Sequence, residues 1–521
     1  MPVNPTFPGI YIEELRSPVH AITAAPTSIA VFIGYTHPYK TIPDPGVATP
    51  ISNFTEYQAK FGGLFRNEGI VNYLPYAVEQ FFMNGGAQAY VVPLAPTVGT
   101  AALPFKTNPP TATIGPLSFN GLEPVDSNTP LQVMIKNIRK DAASNYTIFD
   151  LVITYATFAT ETFRGLSLVA SSDNYVLKRL GGPNPTTPSA LVTLTSTGPF
   201  APFASNTEPP PQTFAYASSA FQTAMSSGPV FQAGDFNAQF AADTSLDKVD
   251  IFNLLVMPGV NDNDVLSHAI AFAEKKRAYL IIDAPDVSAD GDIQAAVDSG
   301  AIPRTDHGAL YFPWLSTIDE LTRQPMRSPP SGFVAGIYAQ TDNDRGVWKA
   351  PAGLETTLLG TTGVVADGKL TDARAGQLND RCVDALRTFP GVGTVVFGAR
   401  TFIPGGGAFD QWKYVPVRRM ALFLEQTLLR NLGWVIFEPN DEPLWLAIRT
   451  NIEAFMLSLF RQGAFQGSTP DQAFQVKCDS STTTQDDINR GVVNILVAFA
   501  PLKPAEFVVI QISQLAGQAQ T

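Results

Sequence analysis

Cysteine is almost missing from this sequence: Cys382 and Cys478 are the only two in 521 residues. Two thiols cannot staple a chain of that length, so a disulfide scaffold is excluded and folding in a reducing compartment is expected. Charge is scarce too, at 15% Asp, Glu, Lys and Arg, against about 25% in ordinary globular chains. The 34 Lys and Arg face 46 Asp and Glu, a net charge of −12. That balance repels phosphate backbones, and no nucleic-acid partner is expected. No apolar run approaches the roughly 18 to 20 residues of a membrane span, so direct membrane insertion is not expected either. The opening Met1-Pro2-Val3-Asn4-Pro5 lacks the basic and apolar regions of a signal peptide, which points to a soluble protein made in the cytosol.

Hydrophobic residues at 45% and aromatics at 11% can fill a large core, and the length suits about three or four domains. Low charge in so large a chain leaves a surface rich in apolar and neutral groups, as in subunits that cover one another.

Proline, by contrast, is abundant at 43 residues and clustered, six between Pro104 and Pro130 and eight between Pro183 and Pro211. Between the clusters, Leu131 to Ile138, Tyr146 to Tyr155 and Phe163 to Val169 carry β-branched and aromatic residues bounded by turn formers, the pattern of short strands. Residues 180 to 247 contain no Lys or Arg. Residues 100–205 are therefore expected to form a β-rich module inserted into a discontinuous α/β domain made of residues 26–99 and 206–400. On either side of it, Ser28 to Gly34, Tyr73 to Met83 and Ala89 to Leu94 read as strand, helix and strand. Ile251 to Met257, Asn263 to Lys276 and Tyr279 to Asp283 repeat the order, as in βαβ units with buried parallel strands.

Residues 401–503 form the next expected domain, with the clearest helices. Val417, Met420, Leu424 and Leu428 recur at helical steps after Pro416, with Gly433 as a stop. Asp441 is the expected N-cap of a second helix, with Pro443 in its first turn, Trp445, Ile448, Ile452, Phe455 and Leu459 on one face and Gly463 at its end. Gly491 to Ala500 and Phe507 to Ile512 are short, apolar and β-branched. Gly9 to Glu14 and Glu506 to Ile512 lie apart from their neighbours, within an arm of residues 1–25 and a tail of residues 504–521. A strand needs a sheet edge, in its own subunit or in a neighbour, because its backbone N–H and C=O groups must be paired. Both uses are open for these two segments.

Motifs of chemistry fail on inspection. His20, His37, His268 and His307 are scattered without metal-ligand spacing. Gly363 to Leu370 reads G-V-V-A-D-G-K-L, a phosphate loop until Leu370 replaces the hydroxyl residue that would hold Mg²⁺. Gly391-Val392-Gly393 and Gly405-Gly406-Gly407 lack the third glycine of a dinucleotide fingerprint. No cofactor and no catalytic or metal residue is expected. Two rival readings are a nucleotide-binding α/β enzyme, which ATP binding would favour, and an adhesin-like surface module, which glycan binding by residues 100–205 would favour.

The motifs in their order resemble a known family. Pro8-Gly9-Ile10-Tyr11-Ile12-Glu13-Glu14 with Ile29 to Gly34 resembles the start of contractile tail sheath proteins, of phages and of phage-tail-like injection systems. Tyr311-Phe312-Pro313-Trp314, Pro329 to Gly336 and Asp342 to Gly353 are similar to the family's central signature. Trp412 to Arg419, Trp434 to Asn440, Gly463 to Gly467 and Pro504 to Val509 look like its C-terminal segments. The resemblance covers about residues 1–95 and 250–515.

It implies a multidomain α/β (α+β) fold, with an α/β sheath core, an inserted outer β-rich module and terminal exchange strands. It also implies a non-enzymatic subunit of a helical sheath around an inner tube, converted once from an extended to a shorter state. The implied partners are further copies of the chain, the inner tube protein, and baseplate and terminal cap proteins. Assembly is expected in a bacterial cytoplasm, within a phage tail or a particle released from the cell. Ile10, Tyr11, Ile12, Phe507, Val508, Val509 and Ile510 are the expected exchange-strand residues. From residue 400 onward charge is nearly balanced, 10 basic against 11 acidic residues. Arg418, Arg419, Arg430, Arg449 and Arg461 on the two helices are candidate contacts to the tube.

Overall fold

The computed structural model describes residues 21–65, 72–98, 103–182, 184–225, 231–286, 290–403, 411–507 and 509–511. The chain forms two compact units: a larger one of Thr27–Asp344 and Pro351–Val415, and a smaller one of Met1–Pro26, Arg345–Ala350 and Pro416–Thr521.

The larger unit is built on an eight-stranded sheet. Its strands are β1 (Ala30–Tyr35), β2 (Thr49–Ile51), β3 (Ala89–Leu94), β4 (Leu254–Val256), β5 (Tyr279–Asp283), β6 (Gly308–Phe312), β7 (Val383–Phe389) and β8 (Gly393–Val396). The order is β2-β3-β1-β4-β5-β6-β7-β8. The six central strands are parallel, with antiparallel β2 and β8 at the edges. Every residue of β1, β5 and β6 is buried, which is why these strands read as continuous apolar runs rather than alternating ones. Helix α1 (Tyr73–Met83) lies between β2 and β3 in sequence, and α2 (Asn263–Lys276) joins β4 to β5. Asp262 caps α2 by accepting from the Val265 N–H at 3.1 Å. The expected strand Ile251 to Met257 is shorter in the structure, Leu254–Val256, and just before it the Asn253 side chain accepts from the Ile29 N–H at 3.0 Å.

Between β3 and β4 the chain makes two four-stranded sheets. Leu131–Lys140 pairs with Tyr146–Tyr155, which pairs with Ala159–Ser167. A register shift between Phe163 and Leu166 puts Gly165 at φ +66, and the Asp150 carboxylate fills the irregularity by accepting from the Gly165 N–H at 2.7 Å. The β-rich insertion reaches further than residue 205: Gln212–Thr213 adds to one sheet and Ala215–Tyr216 to the other. Nor is it a separate body. One apolar core runs from Val31, Ile33 and Leu255 of the central sheet through Phe105 to Phe119, Phe149 and Leu151. A buried polar pin crosses the same boundary. The His37 Nδ1 accepts from the Tyr39 and Lys40 N–H groups at 3.2 Å each, so its Nε2 carries the proton and donates to Glu123 at 3.1 Å. The shared core is why two units form where length alone suggested three or four.

In the smaller unit, helices α4 (Val415–Asn431) and α5 (Glu442–Arg461), which follow α3 (Ser331–Arg345) of the α/β region, carry the expected apolar faces. Met420, Leu424, Trp445, Ile448, Ile452, Phe455 and Leu459 share one core. Asp441 caps α5, accepting from the Leu444 N–H at 3.3 Å, with Pro443 in the first turn. Residues 401–415 fall in the larger unit, so the C-terminal unit starts at Pro416.

Candidate interaction surface

The smaller unit carries a two-stranded antiparallel sheet, β9 (Phe474–Lys477) with β10 (Leu496–Phe499), registered Phe474 to Phe499 and Lys477 to Leu496. Alternation splits its side chains. Val476 is buried and Phe474, Val497 and Phe499 are half-buried over the α5 core, while Gln475, Lys477, Leu496 and Ala498 point outward. Phe465 anchors it, its ring 6.1 Å from Phe474 and 6.0 Å from Phe499. A two-stranded sheet is marginal in water unless a helix backs it, and here α5 does so. Among the described residues each strand has one partner, so each presents an outer edge of backbone donors and acceptors.

The chain leaves β10 and runs to Phe507, Val509 and Ile510, which are 75%, 81% and 78% exposed and belong to no strand. Burying each of these side chains is worth about 1.5 to 3 kcal/mol, a gain the isolated chain leaves unused. Of the other expected exchange residues, Val508, Ile10, Tyr11 and Ile12 lie outside the described residues. The described end of the N-terminal arm is docked. The Thr23 N–H donates to Asn431 Oδ1 and Asn431 Nδ2 donates to the Thr23 carbonyl, both at 2.9 Å, and the Ala25 N–H donates to Thr427 Oγ1 at 3.1 Å.

The five arginines separate into two groups. Arg418 and Arg419 are buried, with Arg418 Nη1 3.9 Å from Glu425 Oε1. They sit at the start of α4, beside its buried Val415 and Val417, and so present little surface in the single chain for the expected tube contact. Arg430 and Arg461 are exposed and Arg449 is half-buried. Sequence reasoning missed Ile436 and Phe437. Phe437 is fully exposed and held at φ +71, a backbone region that bulky side chains rarely occupy. The four apolar residues Trp434 to Phe437 between two helices were the available signal.

The region of the defective phosphate loop is built differently from one. Gly363–Val364 is a strand paired with Leu315–Ile318, and Ala366–Gly368 is a 3₁₀ turn. A side chain at Gly368 would meet Pro313 at 2.5 Å. Glu274, Asp306 and His307 bring three ligand-type atoms within 4.8 Å of one another. They come from α2 and from the start of β6, so no sequence spacing could reveal them. His307 Nδ1 lies 2.7 Å from Asp306 Oδ1 and 3.9 Å from Glu274 Oε1.

This architecture defines a class. The fold is that of contractile sheath subunits, matching over 98% of both chains the sheath of an extracellular contractile injection system, PVC, in its contracted state (TM-score 0.60, 21% identity). It also matches a chain of the anti-feeding prophage baseplate (TM-score 0.58, 22% identity, 98% of this chain and 99% of that one). Residues 409–514 match the phage tail sheath C-terminal domain family. The chain is 26% identical over 259 residues to a prophage major tail sheath protein of Pseudomonas aeruginosa strain UCBPP-PA14, covering 49% of this chain and 62% of that one. It is 27% identical over 179 residues to the tail sheath protein of Vibrio phage KVP40, covering 34% and 25%. The chain thus spans less than two thirds of the length of these relatives. Its C-terminal residues are thus similar to the tail sheath C-terminal domain, and the curated relatives it matches are tail sheath proteins.

Proposed function

We propose that this chain is a structural, non-enzymatic subunit of a helical contractile sheath wound around an inner tube. The observation that carries the reading is the pairing, in one unit, of a two-stranded sheet with open edges and a neighbouring apolar segment that stays solvated in the single chain. In the array, residues 507–510 of one copy, and Ile10, Tyr11 and Ile12 of another, add to the edges of β9 and β10 in a third. Such head-to-tail contacts do not close on themselves and propagate a helix. In this reading the links to the lent segments let the units rotate while the strand pairing persists. New contacts between units then favour the shorter state, and the extended array is kinetically held until a baseplate releases it.

Arg430, Arg449 and Arg461 keep solvent access and are the proposed contacts to acidic groups of the tube. Baseplate and cap proteins are the proposed end partners, and assembly takes place in the producing bacterium before release of the phage tail or tail-like particle. Negative-stain microscopy of the chain co-expressed with its inner tube tests the reading: striated hollow tubes are expected, and a monodisperse monomer at high concentration contradicts it.

A further inference from the structure

The central sheet has a topological switch point. From β1 the chain winds to β3 on one side, and from β4 it winds through β5 to β6 on the other. In open α/β sheets the crevice at the C-terminal ends of two such strands is where ligands bind. A cavity of about 350 Å³ occupies that place, between the end of β1 and the loop after β4, a size suited to a small molecule. Its walls include Tyr35, Tyr73, Phe231, Phe236, Asn261 and Asp262, and no Lys or Arg is among the described residues that line it.

The chemistry of this cavity opposes the ligand that such sheets often hold. The α2 N-terminus beside it is already capped by the Asp262 carboxylate, which accepts from the Val265 N–H, and Asp264 adds a second acid in the first turn. A phosphate would meet negative charge where a nucleotide site presents free N–H groups. Four of the lining side chains are aromatic instead. Phe231 and Phe236 lie 5.3 Å apart at 31°, and Tyr35 meets Phe236 edge-on at 5.8 Å. The Tyr35 ring is fixed, since its hydroxyl donates to Asp235 Oδ2 at 3.3 Å and accepts from the Gln232 N–H at 3.2 Å. A ring wall with carboxylates behind it is the arrangement that recognises organic cations.

We propose that the switch-point cavity binds a small organic ammonium ion, with Tyr35, Tyr73, Phe231 and Phe236 facing the cation and Asp235 and Asp262 as its counter-charges. Burial pushes the Asp235 pKa up, and a bound cation opposes that shift.

Titration of the full chain with choline, with its uncharged isostere 3,3-dimethyl-1-butanol and with AMP tests the proposal. Choline is expected to bind at least tenfold more tightly than either. Phe231→Ala, at a partly exposed ring, and Asp235→Asn are each expected to weaken choline at least fivefold. Equal affinity for the charged and uncharged probes, preference for AMP, or unchanged choline affinity in a folded Phe231→Ala chain overturns it.

Discussion

Thr23 and Asn431 exchange a reciprocal pair of hydrogen bonds, backbone N–H to Oδ1 and Nδ2 to carbonyl, each 2.9 Å long. The start of the described chain at Thr23 is thereby fastened to the last turn of α4. Asn431→Ala removes both bonds. Their partners are solvent-accessible, so the folded chain is expected to lose only about 1 kcal/mol. Tube length and lattice order in electron micrographs are expected to fall much more than the denaturation midpoint. A midpoint loss with normal tubes would remove the anchoring role.

Arg418 and Arg419 differ from Arg430 and Arg461 in burial, and charge reversal distinguishes them. Arg418→Glu with Arg419→Glu places two carboxylates in buried positions and is expected to cost more than about 3 kcal/mol, lowering soluble yield before any tube is added. Arg430→Glu with Arg461→Glu changes exposed sites. It is expected to leave monomer stability within about 0.5 kcal/mol while reducing co-sedimentation with the inner tube, most clearly at low salt.

Phe437 combines full exposure with φ +71, so its ring contributes little to the fold and its backbone is strained. Phe437→Asn, which suits the left-handed region, is expected to raise monomer stability by about 1 kcal/mol. If the ring is an intersubunit contact, the same substitution weakens assembly. Stability and polymerisation then move in opposite directions, which a purely structural residue would not show.

Asp283 is buried at the end of β5 and accepts from the Ser331 hydroxyl at 2.6 Å and from the Ser331 and Gly259 N–H groups at 2.8 Å each. Burial, working against those bonds, pushes its pKa up to about 6. A carboxyl raised in the folded state holds a proton that the unfolded chain has lost. Its contribution is therefore fully present below the unfolded value near 3.9 and is lost as pH rises through about 6. Relative to Asp283→Asn, which cannot ionise, the natural chain is expected to lose roughly 2 to 3 kcal/mol between pH 4 and pH 7 in urea titrations. A pH-independent difference would contradict this.

Local rules made much of the fold legible. Helix α2 spans the residues its apolar spacing marks, Asn263–Lys276, and Asp262 caps it. Strands β3 and β5 and Tyr146–Tyr155 likewise occupy the segments that their composition marks. What escaped depends on long-range pairing. Gln212–Tyr216 is too short to read as strand and becomes one only by completing two sheets begun a hundred residues earlier. The burial of Arg418 and Arg419 was hidden because helical spacing distinguishes faces only where one of them is apolar. The segment at Phe507, Val509 and Ile510 was legible as apolar and strand-like, with its pairing left open, and in the single chain it is exposed and belongs to no strand.

The most direct measurement compares the full chain with one ending at residue 503, by electron microscopy before and after a contraction trigger, alongside a Val509→Asp chain. The sheath reading predicts that the shortened chain folds, with an unchanged β9–β10 sheet and helical content, and stays monomeric. It predicts that Val509→Asp assembles poorly. Normal striated tubes that still shorten, formed by the chain lacking residues 504–521, would contradict the lent-strand lattice.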